Sequence, residues 1–401
     1  MYNYDRVCAE INLDAIVNNV INMKNNMEEK AKIIGVIKTD GYGHGAIPIA
    51  RELTKLDCVY GFATATTEEA IILRKSGIKK PLLILGYTFP YCYSDLVKEE
   101  IRPTVFRLDM AKELSNAAIQ LNKILKVHIK VDTGMSRVGI TPDDIGIEFM
   151  KNIIDLPGIE VEGIFTHFSR ADEVDKTFSL TQLSSFESFI HRIKEELYLD
   201  IPIKHCSNSA GIIELKQANM DCVRAGITIY GLWPSKDVNQ NIVALKPALT
   251  LKSKIIYIKE VEAMTPISYG GTFVTRKVTK VATIPVGYGD GYPRMLSNRG
   301  WVLINGKRAS ILGRVCMDQF MVDVTNISEV KEGDTAILIG QDGDEIITME
   351  ELGDLSGRFN YELACDFGKR IPRVYIKNGK KIAQKDYNDD TYVEYFDSFY
   401  R

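Results

Sequence analysis

The 401-residue sequence lacks the features that mark membrane, secreted or nucleic-acid-binding proteins. No apolar stretch approaches the ~18–20 residues that a helix needs to cross a bilayer. Fifty basic residues face 53 acidic ones, for a net charge of -3, and no Lys/Arg run stands out. That balance leaves no electrostatic footprint for a nucleic acid. The opening Met1-Tyr-Asn-Tyr-Asp-Arg has no apolar signal core, and Asp5 and Glu10 follow soon after. Seven cysteines (8, 58, 92, 206, 222, 316, 365) are odd in number, scattered, and never spaced as Cys-x-x-Cys. This excludes a disulfide frame and a zinc knuckle, and fits reduced thiols in the cytoplasm. Only five histidines occur; His44, His167 and His205 are not clustered and no His-x-x-x-His appears, so no metal centre is expected. Repeats and low-complexity tracts are absent as well. What is there is 45% hydrophobic, ordinary for a globular chain, and long enough for two or three domains or a large barrel plus something smaller. A soluble, cytoplasmic protein acting on a small molecule is expected, with no nucleic acid and no membrane as partner.

From about residue 32 to 231, short apolar runs alternate with stretches of helical period. The runs are 32–38, 59–66, 81–88, 102–106, 126–132, 160–168, 203–207 and 222–230. Helix candidates between them include 67–76, 109–123 and 177–197. Continuous apolar runs describe strands buried on both faces, and alternation with helices implies parallel strands joined by crossovers. Eight units predict an α/β fold: a (β/α)8 TIM-type barrel over 12–246, with a doubly wound sheet as the alternative. Beyond about 246 the runs become short, rich in Val, Ile and Thr, and punctuated by Gly, which predicts a mainly-β domain over 247–401. Segment 2–12 also reads as a strand; its pattern leaves open which domain it joins. The tail 386–401, acidic and aromatic, is expected to pack on the body.

Barrel chemistry sits at strand C-termini. Lys38 ends the first run, and a lysine there needs a partner or a chemical reason such as a Schiff base. Gly41, Gly43 and Gly45 follow it and would let backbone approach a ligand, with Tyr42 placed to lie on its face. His205-Cys-Ser-Asn-Ser-Ala-Gly211 and Arg224-Ala-Gly226 offer hydroxyls, N–H groups and a cation where barrels bind phosphate. Lys130, Asp132 and Arg137 surround one Gly turn, and His167 would face Arg224 across the mouth. Together these describe a pyridoxal phosphate site.

The motifs also resemble a known family. Val36-Ile-Lys38-Thr-Asp-Gly-Tyr42-Gly-His-Gly, Lys130-Val-Asp-Thr-Gly-Met-Ser-Arg137, Thr166-His167-Phe, Asn208-Ser209 and Arg224-Ala-Gly-Ile227-Thr-Ile-Tyr-Gly match the alanine racemases, fold-type III pyridoxal phosphate enzymes. The match continues through Ser268-Tyr269-Gly-Gly, Gly287-Tyr288-Gly-Asp, Gly313-Arg-Val-Cys-Met317-Asp318 and Tyr361-Glu-Leu. The resemblance implies racemisation of alanine by two bases, supplying D-alanine for peptidoglycan. Lys38 would carry the cofactor and serve one face of Cα; Tyr269, reaching in from the other subunit of a homodimer, would serve the opposite face. His167 and Arg224 would link to that tyrosine, Arg224 also holding the pyridine nitrogen. Arg137 and Met317 would bind the substrate carboxylate, and Lys130, carbamylated in many relatives, would orient Arg137. Tyr42, Asn208, Ser209, Gly226, Ile227 and Tyr361 would cradle the phosphate, with Tyr288 and Asp318 at the entrance. Thr39, Gly41, Arg170 and Lys369 depart from the common pattern, and Lys369 bears on alanine against serine. A serine or broad-range racemase, a fold-type III decarboxylase and a non-enzymatic cofactor carrier are the alternatives.

Overall fold

The computed structural model describes residues 4–386 and 392–394. The reading of the tail 386–401 therefore falls largely outside the described residues. Two compact units divide the chain: one holds 16–41 and 46–246, the other the residues up to Ala15, Tyr42–Gly45, and those from Pro247 onward.

An opening strand, β1 (Val7–Asn12), is followed by eight more: β2 (Lys32–Val36), β3 (Val59–Thr64), β4 (Leu82–Ile84), β5 (Arg102–Val105), β6 (Leu125–Lys130), β7 (Ile159–Phe165), β8 (Ile203–His205) and β9 (Cys222–Ala225). These eight are parallel neighbours in chain order from β2 to β8, and β9 returns to pair with β2. Across the remaining seam, Asp221 N donates to Lys204 O (3.1 Å) and Arg224 N to Ser207 O (2.9 Å). The ring is nearly closed: a TIM-type barrel. Its strands are apolar throughout because both faces are covered, and Ile33, Phe62, Ile84, Val105, Ile129, Ile164 and Val223 are fully buried. Each such side chain contributes roughly 1.5–3 kcal/mol of transfer free energy. Helices alternate with the strands, among them Thr67–Lys75 and Thr177–Leu197. The first is fixed by a capping box between Thr66 and Glu69.

All eight barrel strands stop short of the ends of their apolar runs, and in two the backbone shows why. β2 ends at Val36 because the chain then enters a left-handed turn, and β9 ends at Ala225, before a 3-10 turn over Ile227–Tyr230. Both breaks fall at motif residues.

In the second unit, β1 lies between β10 (Leu249–Lys254, antiparallel) and the parallel strand Arg373–Lys377. The opening segment therefore belongs to the C-terminal sheet. That sheet has twelve strands among the described residues and is mainly antiparallel. Its core includes Ile11, Val302, Leu303, Ile304 and Leu338, all fully buried.

Candidate active site

Lys38 opens a turn that few L-residues tolerate. Thr39, Asp40, Gly41 and Tyr42 all have positive φ (55°, 48°, 63°, 50°). Left-handed helical backbone costs a non-glycine residue roughly 1–2 kcal/mol, so three of them store roughly 3–6 kcal/mol. Side chains repay that strain locally: Glu69 accepts from Thr39 N (2.6 Å) and Ala65 N (2.8 Å), and Asp40 accepts from Ala46 N (2.9 Å). Glu69 has no place in the motif reading; its position in a helix first turn reads only as a capping residue. The two later glycines serve a different purpose from the expected ligand approach. A Cβ on Gly43 would lie 2.2 Å from Ala364 O, and one on Gly45 would lie 1.9 Å from the Tyr375 hydroxyl. They let backbone pass close to protein.

Four cations of the barrel unit converge on His167: Arg224, Arg137, Lys130 and Lys38 all bear electrostatically on its ring. Burial, reinforced by these charges, holds His167 well below the ordinary imidazole range, so it is neutral. Arg224 Nη2 lies 3.1 Å from His167 Nδ1. Arg224 is itself buried, with Nη1 bonded to His205 Nδ1 (2.7 Å) and O (3.1 Å), and Nη2 to Thr166 O (2.7 Å) and Cys206 O (2.9 Å). None of these bonds uses Nε. Burial lowers its pKa to about 10, leaving it charged at neutral pH. It sits over the Phe165 ring (5.1 Å), which stacks on His205 with ring centroids 4.7 Å apart.

Lys130 ends β6 and is 2% exposed, its Nζ donating to Val131 O at 2.6 Å. Burial, with Arg224 and Arg137 adding to it, lowers its pKa to about 7. Beyond it, Asp132 Oδ1 accepts from Gly134 N, Met135 N and Ser136 N (2.9, 2.9 and 3.1 Å). Burial works against that carboxylate, but the three N–H groups prevail and hold it ionised. This ties down the loop that carries Arg137.

On the last two strands, Asn208 caps the short helix Ser209–Glu214, accepting from Gly211 N. Ser209 Oγ accepts from Gly226 N (3.0 Å) and meets Thr228 Oγ1 at 3.0 Å, and Ile227 follows in the same turn. Asn208, Ser209, Gly226 and Ile227 are thus contiguous.

Other candidates belong to the second unit. Tyr42 is buried and meets Tyr361 edge-on with centroids 6.0 Å apart. Three motif loops are stitched together there. Ser268 Oγ donates to Arg314 O (2.7 Å), Tyr288 N to Cys316 O (3.1 Å), and Gly289 N to Met317 O (2.9 Å). Asp318 Oδ1 accepts from Arg370 Nη2 at 2.7 Å. Tyr269 occupies a 3-10 turn after Ser268 (φ 65°) and is 71% exposed, so it is not the strand-packing ring that a tyrosine in a β-rich segment ordinarily is.

A phosphorylated aldehyde cofactor fits the barrel residues. Lys38 supplies an amine; the guanidinium groups of Arg224 and Arg137 call for anionic groups; and Ser209, Gly226 and Thr228 are small polar or backbone groups at the turns after the last two strands. Residues outside the motif reading also enter the site. Phe165 ends β7, whereas His128 and Glu162 lie inside β6 and β7, where a polar or charged residue amid an apolar run is the available signal.

Family models for the alanine racemase N-terminal and C-terminal domains match residues 11–234 and 248–375. An alanine racemase of Clostridium perfringens is 44% identical over 381 residues, 95% of this chain and 98% of that protein. One from Halothermothrix orenii is 45% identical, covering 92% and 96%. Among solved structures, alanine racemase from Clostridium difficile 630 superposes with TM-score 0.92 at 40% identity, covering 96% of this chain and all of that one. That of Bacillus anthracis with bound L-Ala-P gives 0.89 at 34% identity, covering 98% and 100%.

Proposed function

The chain belongs to the alanine racemase family, and from that premise we propose that it interconverts L- and D-alanine with pyridoxal phosphate held at Lys38. The observation that carries the reading is the convergence of Lys38, Lys130, Arg137 and Arg224 on a neutral His167. The cofactor supplies the electron sink that makes the Cα proton of alanine removable. Ser209, Gly226, Ile227, Asn208, Tyr42 and Tyr361 would hold its phosphate, and Arg224 its ring nitrogen. Arg224 stays charged there, so it keeps its own proton and leaves the ring a weaker sink, which disfavours side reactions.

Lys38 would take or return the Cα proton on one face. Tyr269 does the same on the opposite face. Two bases are required because a single base returns the proton mostly to the side it left. His167 and Arg224 would link to Tyr269 on its face, as in the family. Tyr269 is exposed on a strained, pinned turn, which supports its reaching a second copy of the chain, and we propose a homodimer with shared sites. Arg137 and Met317 would take the substrate carboxylate, with Tyr288 and Asp318 lining the entrance.

Lys130 is the remaining amine. Its pKa, lowered by burial to about 7, makes the neutral amine accessible near neutral pH. A neutral amine adds carbon dioxide, forming an N–C bond and releasing one proton; the resulting carbamate would pair with Arg137.

The reading predicts that L-alanine with added pyridoxal phosphate yields D-alanine in a chiral assay. Lys38→Ala should lose both that activity and the visible absorbance of lysine-bound cofactor. An unchanged spectrum would place the cofactor lysine elsewhere.

A further inference from the structure

The racemisation reading leaves several buried polar groups of the barrel unused, and they form a continuous chain across β6–β9. Arg224 Nη1 is 2.7 Å from His205 Nδ1, His205 Nε2 is 3.0 Å from His128 Nδ1, and His128 Nε2 is 3.4 Å from Glu162 Oε2. Glu162 is gripped in turn by Arg102 (2.9 and 3.3 Å) and Lys126 (3.1 Å). His128, His205, Glu162 and Arg224 are all buried.

The direction of this chain is forced from its Arg224 end. A guanidinium only donates, so His205 Nδ1 must accept, and the proton of that neutral ring resides on Nε2. His205 then donates to His128 Nδ1, which puts the His128 proton on Nε2, facing the Glu162 carboxylate. The same logic at Nη2 leaves the proton of His167 on its Nε2. Burial holds His128 and His205 below the ordinary imidazole range, so each carries one proton. Burial works against the Glu162 carboxylate, but hydrogen bonds from His128 and Arg102 hold it ionised.

Two further observations show that the chain is built into the fold. Gly163 stands opposite His128 in the β6–β7 register, and a Cβ there would fall 2.4 Å from the His128 ring. Among the described residues, Arg224 bonds to neutral acceptors: carbonyls and the imidazoles of His205 and His167. A buried cation without a carboxylate is costly, and His205 with His128 connects Arg224 to one.

We propose that Glu162 is a positioning residue for racemisation: through His128 and His205 it fixes the tautomers that orient Arg224 and, through Arg224, His167. The proposal rests on the racemase reading, but part of its test does not. In cofactor-loaded protein labelled with 15N-histidine, His128 and His205 should each show a bare Nδ1 and a protonated Nε2. An Nδ1-protonated ring at either position would overturn the relay whether or not the protein racemises alanine. Absence of racemisation with those tautomers present would instead sink the racemase reading.

Glu162→Gln replaces the terminal acceptor that holds the His128 proton on Nε2 with an amide that can also donate, leaving Arg224 alone to set the direction. It should scramble the His128 and His205 signals and lower kcat about tenfold, as loss of an outer-shell partner typically does, with KM for alanine within twofold. Gly163→Ala, which crowds the His128 ring without changing charge, should do the same. Lys126→Met removes a partner of Glu162 outside the chain and should leave kcat and the signals unchanged. A folded Glu162→Gln with wild-type kcat and tautomers would refute the proposal, and where that variant fails to fold, the wild-type tautomers decide it.

Discussion

Replacing Lys130 by methionine should stabilise the protein, most of all at low pH. The side chain is 2% exposed, and its pKa falls from 10.5 to about 7 on folding. At 1.36 kcal/mol per pH unit, that difference is worth about 5 kcal/mol, a ceiling that relaxation and solvent entry bring to about 2–5 kcal/mol. The sign follows from proton counting. Between pH 7 and 10.5 the unfolded chain holds a proton on Lys130 that the folded chain does not. Wild-type stability therefore rises through that window, and the full penalty applies below pH 7. Methionine has nothing to titrate and nearly the same length. Urea unfolding of wild type and Lys130→Met at pH 6, 8 and 10, in carbon-dioxide-free buffer at one protein concentration, measures the gap. The variant should lead by about 2–5 kcal/mol at pH 6, and the lead should shrink steadily toward pH 10. A pH-independent gap, or a more stable wild type at pH 6, would refute the burial argument and with it the neutral amine that carbamylation needs.

Tyr269→Phe should slow turnover of L-alanine by about 10²–10⁴-fold while the cofactor spectrum persists; near-normal racemisation would remove the second base. Gly43→Ala should destabilise the protein by at least about 2 kcal/mol, since its Cβ would meet Ala364 O at 2.2 Å in backbone that resists L-residues; a wild-type melting temperature would contradict the close approach.

The barrel is legible because apolar runs buried on both faces leave a strong trace, and each of the eight runs overlaps one strand. The turn after Lys38 is not. Ile37 extends the apolar run of β2, and Thr39 and Asp40 carry no mark of positive φ, since their strain is met by Glu69 and Asp40 contacts fixed by the tertiary fold. Motif reading selected Lys38, Lys130, Arg137, His167 and Arg224 individually, and their convergence is a property of barrel closure. His128 and Glu162 were passed over because each reads as one polar residue in a strand. Only the register across β6 and β7 brings them together. Tyr269 is exposed on its own chain, so its role rests on the two-base argument and the family, not on any contact.

The most direct test of the two-base account is the first turnover of L-alanine with pyridoxal phosphate in deuterated water. Abstraction by Tyr269 and return by solvent-exchanged Lys38 should give D-alanine deuterated at Cα, while unreacted L-alanine keeps its original proton. D-alanine that retains the substrate proton would mean that one base serves both faces, and would contradict the account.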